Sequence, residues 1–279
     1  MTDGTGPGGP PGSALLVAAF RGWNDAADSA SDAVEHLVQA WGAEVVHEMD
    51  PEPYYDFQVN RPEAVVGEDG TRDLVWPGTR VLRAVVGGRV VLLVDGTEPS
   101  TRWRGLCAEI LGIARDHDVQ RVLTLAALLT DVPHTRPIPV SVTSQDPDRA
   151  NEWGLELSSY EGPTGIVGVL QHAAAAAGVP GVSMWAAVPH YVAQPPNPKA
   201  SLALLGRLED LTGLVSPVGE LREEADAWQR GVDDLAGEDA EIAEYVTQLE
   251  QARDTADLPE ASGEAIAREF EKYLRRRER

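Results

Sequence analysis

Short runs of nearly uninterrupted apolar residues, separated by stretches whose apolar side chains recur every three or four positions, leave this chain few folds to adopt. Residues 14–20, 122–129 and 182–188 are such runs, and a run that is apolar on both sides fits a strand covered on both faces. Between them lie helical periods. One begins near Asp25 and turns Ala26, Ala30, Ala33, Val34, Leu37 and Val38 inward before Gly42; another spans 100–116 with Trp103, Leu106, Cys107, Ile110 and Leu111 inward. Further helices are expected at 166–177 and 200–211, and further strands at 44–49 and 138–143. Residues 80–86 and 89–94 flank Gly87-Gly88, the signature of a β-hairpin. Strands alternating with helices predict an α/β fold whose mainly parallel sheet is covered on both faces.

Two stretches break this rhythm. Residues 50–76 are polar, aromatic and proline-bearing without a helical period, too long for a simple connection, and are expected to be partly structured or functional. After Ser216 the chain becomes charged and helical in period. Leu221, Ala225 and Trp228 form one set, Ile242, Tyr245, Val246 and Leu249 a second, Ile266, Phe270 and Leu274 a third, with Gly231 and Pro259 as punctuation. The organisation expected is a disordered lead at 1–13, an α/β domain at 14–215, and an acidic helical region at 216–279.

Charge narrows the function. Acidic residues outnumber basic ones 45 to 23, for a formal net charge of -22, so the clustered cations that nucleic-acid binding requires are missing. No apolar run approaches the roughly 20 residues that span a bilayer, and the Gly/Pro-rich lead lacks a signal peptide's basic and apolar parts; a cytoplasmic location is expected. Cys107 is the sole cysteine; its place among Leu106, Ile110 and Leu111 favours a small buried side chain over a reactive thiol. No His/Cys/Asp set has metal-ligand spacing, and no metal or cofactor is expected.

Five loops fall where strands end, the usual site rim of an open α/β sheet. In the first, Asn24 or Asp25 either caps the following helix or helps a glycine turn hold an anion. The second, 95–104, brings Asp95 and Glu98 together as paired carboxylates near Arg102 and Arg104, with Ser100 as a candidate helix cap; such acids suit proton transfer or surface ion pairs. The third carries Asp131, His134 and Arg136 between prolines, with His134 either an acid/base group or a loop-fastening residue. The fourth, with Tyr160, Glu161, Gly162 and Thr164, offers backbone amides for a ligand but lacks the Gly-x4-Gly-Lys pattern of a phosphate cradle. In the fifth, His190 and Tyr191 enter a proline-rich loop suited to an interface as much as to a pocket.

Taken in order, AFRGWNDAADSA, DPEPYYDFQVNRP, DGTEPSTRW, LTDVPHTRP, SSYEGPTGIVGVL and WAAVPHYVAQPPNPKA resemble the actinobacterial branch of the proteasome assembly chaperone 2 family. The resemblance runs from about Leu15 to Leu211. It implies a phosphorylase/hydrolase-like three-layer sandwich with a mixed, mainly parallel sheet, plus the helical C-terminal region. It also implies a homo-oligomer, a trimer by analogy with similar members, and proteasome subunits or another cytoplasmic protein as partners. Some chaperones of this type dock through a hydrophobic-Tyr-any residue tail. Here the last residues are Arg275-Arg276-Arg277-Glu278-Arg279, so that docking mode is not expected.

Two functions compete. One is an oligomeric, chaperone-like binding protein. The other is a hydrolase or transferase on a nucleoside-like ligand, with Asp95, Glu98, His134, Glu161 and His190 as acids and bases and Arg102 and Arg136 as anion holders. Convergence of these side chains around one pocket would favour the enzyme; scatter would count against it.

Overall fold

A computed structural model of the chain describes residues 12–67 and 70–256. An eight-stranded sheet forms its centre, in the order β2-β5-β6-β1-β7-β10-β8-β9. The strands are β1 (Ala14–Arg21), β2 (Glu44–Glu48), β5 (Thr79–Val86), β6 (Arg89–Thr97), β7 (Val119–Thr130), β8 (Val140–Ser144), β9 (Glu156–Leu157) and β10 (Gly181–Pro189); β3 (Glu63–Val66) and β4 (Arg72–Val75) pair apart from it. The inner strands β6, β1, β7 and β10 are parallel, whereas β5 and β8 flank them antiparallel. The sheet is therefore mixed and mostly parallel, as the alternating pattern predicts.

Strand periodicity builds two cores from one run of sequence. Leu15, Val17 and Ala19 of β1 face α1 (Ser29–Ala40) and α5 (Pro198–Thr212); Leu16, Ala18 and Phe20 face α2 (Trp103–Asp116) and α4 (Ile166–Ala176). All six β1 side chains are buried, which is why no polar residue interrupts that run. Two glycines are set by close approach. A Cβ at Gly96 would lie 2.7 Å from Thr79 Oγ1 and 2.8 Å from the Phe20 ring, and at Gly181 it would lie 1.6 Å from Gln171 Oε1. The Gln171 amide instead reaches Val182 O at 2.8 Å and Thr124 Oγ1 at 3.0 Å.

Local differences from the sequence reading have physical causes. The first helix enters through a short 3-10 turn, Ala26–Asp28, before α1 begins at Ser29. The second helix, α2, begins at Trp103, not at Ser100: Arg102 adopts a left-handed φ of 54°, and the Ser100 hydroxyl accepts from Asp56 N and Asn60 Nδ2. The strand expected at 138–143 starts later, at Val140, because Pro137 and Pro139 have no N–H for the ladder. Helix α3 (Pro147–Trp153) was not anticipated, although Asp146 accepts from Asp148 N and Arg149 N and Pro147 occupies the first turn. The described residues within 50–76 form tight turns and the β3–β4 hairpin, exposed along both strands.

The C-terminal helices are α6 (Leu221–Glu238), lying against α5, and α7 (Ala240–Ala256). Gly231 does not end a helix as the sequence suggests: α6 runs through it, burying Ala225, Val232 and Ala236, and the break falls at Asp239 with an extended φ,ψ of -117°,113°. An exposed helical glycine costs about 1 kcal/mol, which packing on α5 outweighs. The lead at 1–11, Pro259, the period at Ile266, Phe270 and Leu274, and the Arg275–Arg279 end lie outside the described residues. Among the described residues no helix is long and apolar enough to cross a membrane.

Candidate functional site

The five loops lie along the rim where the parallel strands end, but they form two sites, not one. The first is a cleft of about 1350 Å³ over the ends of β1 and β6, lined by residues including Arg21, Trp23, Asn60, Arg80, Asp95 and Glu98. Asp95 stands at its floor, only 5% exposed. Its carboxylate accepts from Arg21 Nη1 at 2.6 Å and from Arg80 Nε at 2.9 Å, while Arg80 Nη2 reaches Glu35 at 2.7 Å. Sheet register dictates this: Arg80 on β5 is directly opposite Asp95 on β6, and Arg21 ends the neighbouring strand. Asp95 is thus held as a paired anion.

Glu98 does a different job. Its Oε1 accepts from Asn24 Nδ2 at 2.7 Å and from the backbone N–H of Ile166 at 2.9 Å, the first residue of α4. The Asn24 side chain in turn leaves no room for a Cβ at Gly165, where one would sit 2.0 Å from its oxygen. Asp25 caps α1 and is not turned to the cleft. It accepts from Ala30 N at 2.6 Å, Ser31 N at 3.2 Å and Ser31 Oγ at 2.5 Å, and burial lifts its carboxyl to about 6. Trp23 at 72% exposure and Trp76 at 46% stand open at this cleft. Trp76 meets Phe57 edge-on at 4.8 Å.

The second site surrounds His134, 1% exposed. Tyr191 Oη accepts from His134 N at 2.8 Å and meets His134 Nδ1 at 2.8 Å; the Asp233 carboxylate of α6, 2.9 Å from Nε2, can only accept, so Nε2 carries the proton and in the neutral ring Nδ1 accepts from the Tyr191 hydroxyl. Burial lowers the His134 pKa and raises that of Tyr191 to about 12. Lys199 Nζ donates to His134 O and to Gln229 Oε1, and its pKa is lowered by burial. Asp131 Oδ1 meets His190 Nδ1 at 3.1 Å and Tyr245 Oη of α7 at 3.2 Å. Arg136 forks onto Asp254 at 2.7 and 2.8 Å and onto Glu250 at 3.1 Å; the Asp254 bonds push its pKa up further. His134 fastens its loop.

Glu161 and Gly162 belong to an exposed turn held by Tyr160 Oη donating to Pro163 O at 2.7 Å, with Thr164 over the start of α4. Arg102 is likewise exposed, before α2. The convergence expected of an enzyme is therefore not met: Asp95 and Glu98 share the cleft, His134 and His190 share the second site, and Glu161 joins neither. Cys107 is buried and its thiol pushed up to about 11, so little thiolate forms near neutrality. Among the described residues no group of three His, Cys, Asp or Glu could hold a metal ion. Sequence reading missed Arg80, Lys199, Asp233, Glu250 and Asp254. Arg80 was readable from strand register with Asp95, while the three acids lie in helices that nothing local ties to this loop.

Comparison with known proteins follows the same line. A family profile described as PAC2 family matches residues 19–236. A crystal structure of a PAC2 family protein from Streptomyces avermitilis is 57% identical, superposes with a TM-score of 0.78, and is covered over 100% of its length by 84% of this chain. A Mycobacterium tuberculosis protein described as a proteasome-assembly chaperone homologue is 49% identical, with a TM-score of 0.75 over 83% of this chain and 99% of its own. At 16% identity and a TM-score of 0.62, a Pyrococcus furiosus protein described as an archaeal proteasome activator, covering 81% of this chain and 95% of its own, shares the fold. No curated protein matches this sequence. With a profile spanning most of the chain and two relatives far above the threshold of chance, the protein belongs to the PAC2 family.

Proposed function

We propose that the protein is a chaperone-like binding protein of the proteasome-assembly type, acting on a cytoplasmic protein partner through the cleft side of the sheet. One observation carries this reading. The best acids and bases of the chain are already occupied internally, Asp95 by two arginines and His134 by Tyr191 and Asp233, while the neighbouring surface displays uncovered apolar side chains. Val45 and Val46 on the edge strand β2, Val65 and Val66 on β3, Leu74 and Val75 on β4, and the two cleft tryptophans are all exposed. A two-stranded ribbon with no face against a core is marginal by itself, and an uncovered edge with apolar neighbours invites another protein. Further copies of the chain, as a trimer, and proteasome subunits are the partners the family relationship supports.

Hydrolysis or group transfer is not favoured, since a general acid or base must be free to reach a substrate proton. Affinity capture from the host cytoplasm, with intact protein and with a variant lacking 61–76, tests the reading. Proteasome subunits are expected with the intact chain and at least tenfold less of them with the variant. Their absence from both captures sinks it.

A further inference from the structure

The second rim site is covered by part of the chain itself. α7 carries five acids against one base over residues 239–256, and almost everything that fixes it is polar. Glu250 bonds Thr135 and Arg136, Asp254 takes two bonds from Arg136, and Tyr245 donates to Asp131. Tyr245 also meets the rings of His190 and Tyr191 edge-on, at 5.6 and 6.0 Å. Val246 is its only buried side chain among those described. By contrast, α5 buries six residues and α1 six. Surface ion pairs of this kind are individually weak and are screened by salt.

The rim beneath is unusual for so acidic a protein. Basic side chains gather there on two adjoining loops and the first turn of α5: α7 meets Arg136 through Glu250 and Asp254 and the His190 ring through Tyr245, while α6 meets His134 through Asp233 and Lys199 through Gln229. The helix joins α6 at the single extended residue Asp239, whose carboxylate caps α7 by accepting from Glu241 N and Ile242 N. Pivoting there would lift α7 away without unwinding either helix.

We propose that the rim formed by the 131–137 and 190–197 loops is an acceptor groove for an acidic helix of a partner protein, and that α7 occupies it in cis as a releasable plug. The partner helix is one that presents two carboxylates a single turn apart, as Glu250 and Asp254 do, to the Arg136 fork. This groove is separate from the cleft on which the functional reading rests, so either can fail without the other.

The test uses the full chain throughout. A fluorescent peptide of residues 239–256, acetylated and amidated, serves as the acidic helix. Wild-type protein should bind it weakly, because its own α7 competes. The double substitution Glu250→Ala, Asp254→Ala loosens that plug and should bind the peptide at least tenfold more tightly in low salt. Adding Arg136→Ala should abolish the gain, as should a peptide carrying Gln and Asn at the two acidic positions. Thermal melts of each variant verify that the sheet domain is intact, since Arg136 and Glu250 are half-buried and Asp254 is exposed. In wild-type protein, amide exchange across 240–256 should rise severalfold with added salt while that of α5 stays unchanged. Equal peptide binding by wild-type and loosened protein, or α7 exchange indifferent to salt, overturns the proposal. A loosened variant that self-associates through Arg136, seen as a rise in mass by light scattering, makes the occupant a second copy and overturns the assignment to a partner.

Discussion

Helices α1 and α5 and helices α6 and α7 pack on the same side of the molecule, yet they are held by opposite means. The first pair is fastened by aliphatic contact: Val34, Leu37, Leu204, Leu205 and Leu208 are fully buried against the sheet. The second pair is fastened increasingly by charge, from α6 with Ala225, Val232 and Ala236 buried to α7 with Val246. Buried aliphatic surface is not weakened by charge screening and is worth about 25 cal/mol per Å², whereas exposed ion pairs are screened and worth about 0–1 kcal/mol each. The inner set therefore carries the fold, and the contrast predicts that the sheet domain survives release of α7.

The sharpest way to break this contrast is at the inner helices. Leu37→Ala, at a site with no exposure, should destabilise the whole protein by about 2–5 kcal/mol, read by denaturant melts. A cost under about 1 kcal/mol would mean that α1 is as loosely held as α7. A smaller effect is expected at the entrance to α1, where Asp25 is held near 6 against an ordinary 3.8. Here the folded state binds the proton more tightly than the unfolded chain, so the contribution of this one group is greatest below about pH 4 and is lost as pH rises from about 4 to about 6. Relative to Asp25→Asn, the wild-type protein should lose about 2–3 kcal/mol across that window; parallel pH profiles would contradict it. The smallest effect belongs to the outer set. Val246→Ala should cost about 1 kcal/mol or less, visible as faster amide exchange over 240–256 with α5 unaffected. Faster exchange in both helices would erase the distinction.

How much of this was legible depends on which force fixes each element. Strands β1, β7 and β10 are apolar on both faces because helices cover both faces, and that leaves a run that can be read directly. Helix α5 announces itself by Asn197, which caps it through Ala200 N, and by Pro198 in its first turn. The β3–β4 hairpin could not be read, since neither of its faces meets a core and no alternation is imposed on Glu63–Val66 or Arg72–Val75. The site loops were legible as loops, but their chemistry was not. Asp95 looked like one half of a carboxylate pair with Glu98 until Arg80, opposite it in the sheet, and Arg21, on the adjacent strand, claimed it. His134 looked poised beside Asp131, three residues away, but its carboxylate is Asp233, 99 residues on. Sequence spacing measures neighbours along the chain, and these partners are neighbours only across it.

The Glu98 carboxylate has a consequence of its own. One oxygen is divided between a side-chain amide on the β1 loop and the leading N–H of α4, so the wall of the cleft and the beginning of a helix on the far layer draw on a single acceptor. A guest that takes this oxygen from the leading N–H of α4 does so at the expense of that turn, and thermodynamic reciprocity makes the loss mutual. Slackening the first turn of α4 would sharpen the cleft's appetite for a cationic guest to the same degree that such a guest frays the turn, giving the two layers a means of signalling through one shared atom.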